Sequence, residues 1–323
     1  MKASRNIGLD VARVIALACI MCCHFCSVYW NGFAVVAHDV LAVMGNSLFF
    51  VISGYCLGRK WETEGCPLYG IGFVAKRIKR LYPPFAMFVI FYVIVLMIKG
   101  HYLSVVQIAM NLGMLSWFVK LPGAGHLWFV TAMMLLYVLY MSASRIRCVR
   151  GGNKELIVLC GLIAAVMLAF SLRYVGFRQS YFIVFASGAI ATFLYGGRNW
   201  GLFRFKGLCI AVGIVGLCIL HKQEMLCVAI AVMVALVIIA CCANVPAFAG
   251  SACITWLSSI SYEMYLVHCV FQNSTVFNFK DFFGNVWLFA VNYVACSIIA
   301  AMALKKLCAM LVSSFNVKRG KRI

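Results

Sequence analysis

Apolar residues along this chain come in long unbroken runs. Ile7 to Tyr29 is the first, and comparable runs recur over residues 40–58, 82–99, 126–143, 155–172, 180–196, 206–221, 225–243, 253–272 and 286–311. A helix needs about 20 predominantly apolar residues to cross a bilayer core. Backbone groups in lipid must find their partners within the segment, so runs of this length read as helices. The expected fold is therefore all-α: a polytopic membrane protein with about ten transmembrane helices. A further stretch, 103–118, is short and carries Gln107 and Asn111, so it is expected to be re-entrant or interfacial, leaving the span to 126–143. The first run is longer than the apolar core of a signal peptide, contains Asp10 and Arg13, and lacks a small-residue cleavage site after it. It is expected to remain as a permanent helix.

The polar connections are short. The longest one inside the charge pattern runs from Arg59 to Tyr82, and its second half alternates apolar and basic residues as an interfacial helix does. Pro83 and Pro84 would then suit the first turn of the following span, where a missing N–H is tolerated. No internal repeat or interdomain linker is visible. One domain is expected over 1–323, with 312–323 a short basic tail and no fused soluble domain.

Composition agrees with the pattern. The chain is 65% apolar and 11% charged, against about 25% charged in soluble domains. Its net charge of +20 would ordinarily raise nucleic-acid binding, but the basic residues are sorted by connection. Of the 28 lysines and arginines, 21 fall on the side that holds the N-terminus, 6 on the other side, and Arg13 lies within the first span. That is the positive-inside asymmetry. It orients both termini to the cytoplasm, makes the basicity topological, and leaves no need for a nucleic-acid partner. The 17 cysteines, Cys22-Cys23 and Cys241-Cys242 among them, are scattered through apolar spans and read as small buried hydrophobes. No metal-ligand spacing with paired histidines appears, so no metal is expected.

Five constellations could carry chemistry. Asp10, Arg13 and His24 share one stripe of the first helix, since eleven residues are close to three turns and span roughly 16 Å along the axis. Ionisable groups at depth cost on the order of 2.5–3.5 kcal/mol each unless they face protein or water, so a stripe of three points to a site rather than to packing. A neutral imidazole there has a ring nitrogen able to take a proton, as a general base must. Arg77 and Arg80 lie one turn apart within Lys76-Arg77-Ile78-Lys79-Arg80. Such a cluster anchors anionic lipid, but paired arginines also grip phosphates bidentately. Ser53-Gly54, within Asn46 to Tyr55, forms a small-residue notch suited to helix packing or to a ligand. In Ser258 to His268, Ser261, Tyr265 and His268 fall on one face, while Glu263 points elsewhere and is either a functional acid at membrane depth or an interfacial partner for a basic residue. Gly125-His126-Leu127-Trp128 opens a span, and its Trp reads as interfacial belt or as a substrate contact.

Together these segments resemble the acyltransferase 3 family of bacterial integral-membrane acyltransferases, from Gly8 to about Leu311. The family's acid–arginine–histidine opening corresponds to Asp10, Arg13 and His24. Its FFVLSGF-like span corresponds to Phe49-Phe50-Val51-Ile52-Ser53-Gly54-Tyr55, and its basic pair before an RLYP turn to Arg77, Arg80 and Leu81-Tyr82-Pro83. Leu127-Trp128 and the late SYxxYLxH pattern, Ser261-Tyr262, Tyr265-Leu266 and His268, complete the match. One position departs: Ser47 stands where many relatives have an acid.

The resemblance implies an acyl-CoA-dependent O-acyltransferase of the bacterial cytoplasmic (inner) membrane. Acetyl-CoA, or another acyl-CoA, would be the donor, and a hydroxyl of a cell-envelope carbohydrate or glycolipid the acceptor. His24 would be catalytic, with Asp10 and Glu263 as acids of the site. Arg13, Arg77 and Arg80 would hold the acyl-CoA, and Ser53, Tyr55, Trp128, Tyr265 and His268 the acceptor. Direct transfer and an acyl-histidine intermediate both fit. The competing class is a transporter or flippase for a lipid-linked or small anionic substrate, which ten spans and intramembrane charges also suit; a non-catalytic scaffold leaves the charged stripe unexplained.

Overall fold

In the computed structural model, seven helices and a 3₁₀ turn account for nearly all of the described residues, which are 6–28, 32–64, 71–150, 251–272, 276–277 and 283–320. The expected spans at 155–172, 180–196, 206–221 and 225–243 lie outside them. The helices are α1 (Ile7–Val28), α2 (Gly32–Glu64), α3 (Ile71–Ile98), α4 (Val105–Leu112), α5 (Trp128–Arg150), α6 (Ser251–Gln272) and α7 (Val286–Gly320), with the 3₁₀ turn Gly125–Leu127 leading directly into α5. Among the described residues there is no strand.

Among the described residues, five segments are long and apolar enough to cross a membrane: Ile7–Val28, Ala37–Leu57, Gly72–Ile98, Gly125–Ser142 and Val286–Ser314. They match the expected first four spans and the last one. Helix α6 has the length, 22 residues, or about 33 Å at 1.5 Å per residue. It is not among the five because it is too polar, and its polar groups Ser258, Ser261 and His268 are buried in protein. A helix at membrane depth must place such groups that way.

Two expectations change in detail. The interfacial segment and the third span are one continuous helix, so Pro83 and Pro84 lie inside α3 instead of in a first turn. Neither proline has an N–H to give the carbonyls of Lys79 and Arg80, which are left for other donors. The chain after Val312 is also helical, because α7 runs on to Gly320. The 103–118 stretch, expected to be re-entrant or interfacial, is a short helix followed by turns. Ser104 and Gln107 close a reciprocal capping box at the start of α4, and Asn111 ties its end to the carbonyl of Val119 at 2.9 Å. Helix α3 stops where Gly100 takes a left-handed φ of 80°, with His101 N–H donating to Leu96 O and Gly100 N–H to Met97 O. That reversal closes the helix and favours a residue without Cβ.

The chain divides into two compact units, each built from separate stretches. The first takes Met1–Cys23, Asn31–Val74 and Leu135–Ser258; the second takes His24–Trp30, Ala75–Met134 and Ser259–Ile323. In the first, α1 and α2 meet at Gly45, where an added Cβ would sit 2.8 Å from Ile20 and 2.9 Å from the backbone oxygen of Ala16. In the second, Tyr92 of α3 donates to the Pro122 carbonyl at 2.8 Å, Thr131 of α5 to Met114 at 2.7 Å, and Tyr262 of α6 to Leu81 of α3 at 3.0 Å. Phe25 stacks on Phe289 of α7, with ring centres 5.3 Å apart.

Candidate functional site

Three histidines from three parts of the chain converge in the second unit. His24 comes from the last turns of α1, His126 from the 3₁₀ turn before α5, and His268 from the closing turns of α6. Ring centres are 5.0 Å apart for His24–His268, 5.2 Å for His126–His268 and 6.4 Å for His24–His126. His126 and His268 are buried, and His24 is partly exposed. Phe88 of α3 sits edge-on to His126 at 6.2 Å.

Hydrogen bonds assign the tautomers of the two buried rings. His268 Nδ1 faces two carbonyl oxygens of its own helix, Tyr265 at 2.8 Å and Met264 at 3.2 Å. Carbonyls only accept, so Nδ1 carries the proton and Nε2 presents a lone pair. That lone pair accepts from the thiol of Cys269 at 3.3 Å. His126 Nε2 donates to Leu266 O at 3.1 Å, so its Nδ1 is the bare nitrogen, and that atom is buried with no partner among the described residues. Tyr265 closes the arrangement by donating its hydroxyl to the carbonyl of His126, with its ring 5.6 Å from the His126 ring and 5.7 Å from that of His268. Two buried imidazoles with assigned tautomers thus sit next to His24.

The same unit carries a cationic end on the same helices. Lys305 of α7 donates to Ser259 of α6 through both the carbonyl, at 2.8 Å, and the hydroxyl, at 3.0 Å. Glu263 is half-buried one turn further and lies within electrostatic reach of Lys305 and Arg80. The Tyr262–Leu81 bond places Arg80 beside this part of α6. From Tyr262 to His268 is about 9 Å along α6, and from Arg80 to Phe88 about 12 Å along α3, at 1.5 Å per residue. Both helices thus run from the cations to the imidazoles.

The remaining expected residues are placed as follows. Asp10 is fully buried in the first unit. It accepts from Arg13 at 2.9 Å and from the Ser258 hydroxyl at 2.7 Å, both on the same oxygen. Arg13 also reaches Cys56 Sγ at 3.8 Å. Ser53 is half-buried and Tyr55 buried on α2, in that same unit. Trp128 is buried edge-on against Trp117 at 5.5 Å, and of its segment it is His126 that joins the cluster. Glu263 is with the cations and not with the imidazoles. Ser47, at the position noted above, is fully buried, and its hydroxyl has no hydrogen-bond partner among the described residues.

Residue pattern alone marks His126 only as part of Gly125–Trp128 and singles out neither Cys269, which directly follows His268, nor Lys305, one basic residue among many.

A family model described as an acyltransferase domain matches residues 6–306, nearly the whole chain. The chain belongs to the acyltransferase 3 family. No curated protein and no solved structure matches it. As a member of this family, with five helices among the described residues apolar enough to cross a bilayer, the protein is a membrane acyltransferase. That membership decides between acyl transfer and transport, the two classes left open by spans and charges alone. The acyltransferase match includes every residue of the histidine cluster and of the cationic end.

Proposed function

We propose that this acyltransferase moves an acyl group, acetyl by default, from acyl-CoA on the cytoplasmic side of a bacterial inner membrane to a hydroxyl of a cell-envelope carbohydrate or glycolipid. The observation that carries this reading is the pairing, within one compact unit, of a cationic helix end with a three-imidazole cluster about 9–12 Å further along the same helices. Arg77, Arg80 and Lys305 supply cations for the phosphates of the donor, where guanidinium groups grip two oxygens at once. The pantetheine arm then follows α3 and α6, bringing its thioester to the imidazoles. Glu263 is a positioning residue here, holding Arg80 and Lys305 electrostatically. In the first unit, Asp10 accepts from both Arg13 and the Ser258 hydroxyl.

At the cluster, His24 takes the proton of the acceptor hydroxyl as its oxygen attacks the thioester carbonyl. The tetrahedral intermediate collapses with cleavage of the C–S bond, and the departing CoA thiolate recovers the proton from His24. The rings of His126 and His268 beside His24 position it for this step. A covalent variant, in which His24 itself takes the acyl group and passes it on, uses the same atoms.

The test uses the full-length protein in lipid nanodiscs with labelled acetyl-CoA and isolated envelope glycan. Label is expected to move to glycan with the wild type. His24→Ala should lower transfer by at least about 10²-fold, the usual scale for a general base, while thermal unfolding stays that of the wild type. Full activity in that variant removes His24 from the mechanism. Rapid acid quench without acceptor separates the two routes, since protein free of label excludes the acyl-histidine.

A further inference from the structure

We propose that His24, His268 and Cys269 form a binding site for a soft metal cation of the Zn²⁺ type, and that its occupancy switches acyl transfer off. Their donor atoms all lie within 4.8 Å of one another. His268 Nε2 and Cys269 Sγ are 3.3 Å apart, close to the roughly 3.5 Å that a tetrahedral ion with Zn–N near 2.0–2.1 Å and Zn–S near 2.3 Å requires. Two imidazoles and a thiol are the ligand types that favour such an ion over Mg²⁺ or Ca²⁺.

Two further observations point the same way. The Nδ1 proton of His268 is held by the carbonyls of Tyr265 and Met264. Metal-bound histidines are oriented by this kind of outer partner, which fixes the tautomer and directs the ligating nitrogen. Beside the three donors, at ring distances of 5.2 Å from His268 and 6.4 Å from His24, His126 keeps its Nδ1 lone pair buried and, among the described residues, unpartnered. A buried acceptor with nothing to accept is costly; a cation or a metal-bound water in the cluster supplies what it lacks.

Binding replaces the thiol proton: Zn²⁺ and Cys269–SH give a zinc thiolate and one proton released to solvent, with no change of oxidation state. The ion also occupies the lone pair of His24. Inhibition follows only if His24 is the proton acceptor, so this half of the proposal rests on the function proposed above.

The experiment titrates chelator-treated, detergent-purified full-length protein with Zn²⁺ against a chromophoric chelator, and with Co²⁺ while recording the near-ultraviolet thiolate-to-cobalt band. One ion per chain and a cobalt–thiolate band are expected. Cys269→Ser, which keeps the size of the side chain, should abolish the band and weaken Zn²⁺ binding by at least about 100-fold, beyond the 10–100-fold that losing an outer-shell partner costs. His268→Gln should weaken it similarly, and Cys253→Ser on the exposed face of α6 should leave both readings unchanged. A band that survives Cys269→Ser, or binding that is lost equally in Cys253→Ser, overturns the site. Transfer is measured in parallel with and without Zn²⁺. Binding with inhibition supports both halves, whereas tight binding without inhibition keeps the metal site and overturns His24 as the base.

Discussion

A charge inside a membrane protein is stable only when its partners are fixed, and Asp10 shows how this chain arranges that. Its carboxylate lies fully buried with Arg13 and the Ser258 hydroxyl on one oxygen. The ion pair is one turn of helix, but Ser258 comes from α6, so the hydrogen bond ties distant parts of the first unit. Ser258→Ala should lower stability by roughly 1.5–3 kcal/mol, the scale of a hydrogen bond to a charged group, read as a drop in the detergent unfolding midpoint. Transfer per folded molecule should change little. The stripe of Asp10, Arg13 and His24 was legible because buried ionisable residues stand out against apolar neighbours. The partners were not legible: Ser258 is one serine among several on α6, and only the fold chooses it. Cys269 was hidden for the opposite reason, since it resembles the many other cysteines of the spans, and its meaning comes from the tautomer of the ring beside it.

Elements show the same division between pattern and packing. The apolar runs announced α1, α2, α3, α5 and α7, because period and length are written in the residues themselves. Sequence gave no way to tell that Pro83 and Pro84 would be carried inside α3, since a proline pair is as compatible with a first turn as with a helix whose freed carbonyls lie near the basic, polar end. A tight helix contact in the first unit is made at Gly45, facing Ile20 and Ala16. Which glycine faces a neighbour depends on helix rotation, which spacing alone leaves open. Gly45→Leu should therefore destabilise strongly, by about 1–3 kcal/mol or more as overpacking does, and reduce the amount of folded protein recovered from membranes. At α4, Ser104→Ala removes one side of the capping box and should cost about 1 kcal/mol. Hydrogen exchange over Val105–Leu112 would report it without disturbing transfer.

At the scale of the molecule, the proposed reaction needs the donor to be gripped at one place and to react at another. The geometry separates these roles along α3 and α6, with cations at Arg77, Arg80 and Lys305 and imidazoles about 9–12 Å away. Interactions with the non-reacting nucleotide are made equally in the ground and transition states, so removing one should raise KM and leave kcat nearly unchanged. Arg80→Gln is expected to raise KM for acyl-CoA about tenfold, on the scale of one charge-assisted hydrogen bond at a partly solvated site. Because Arg80 is exposed, its contribution should also be screened, so wild-type KM should climb with ionic strength while that of Arg80→Gln climbs less. A donor lacking the adenosine phosphates, acyl-pantetheine, should respond to neither the substitution nor the salt. His24→Ala belongs to the other pole and should lower kcat for both donors alike. If Arg80→Gln instead lowers kcat for acyl-CoA and acyl-pantetheine equally, the cation acts at the reacting thioester. The division of labour between the two ends of these helices would then be wrong.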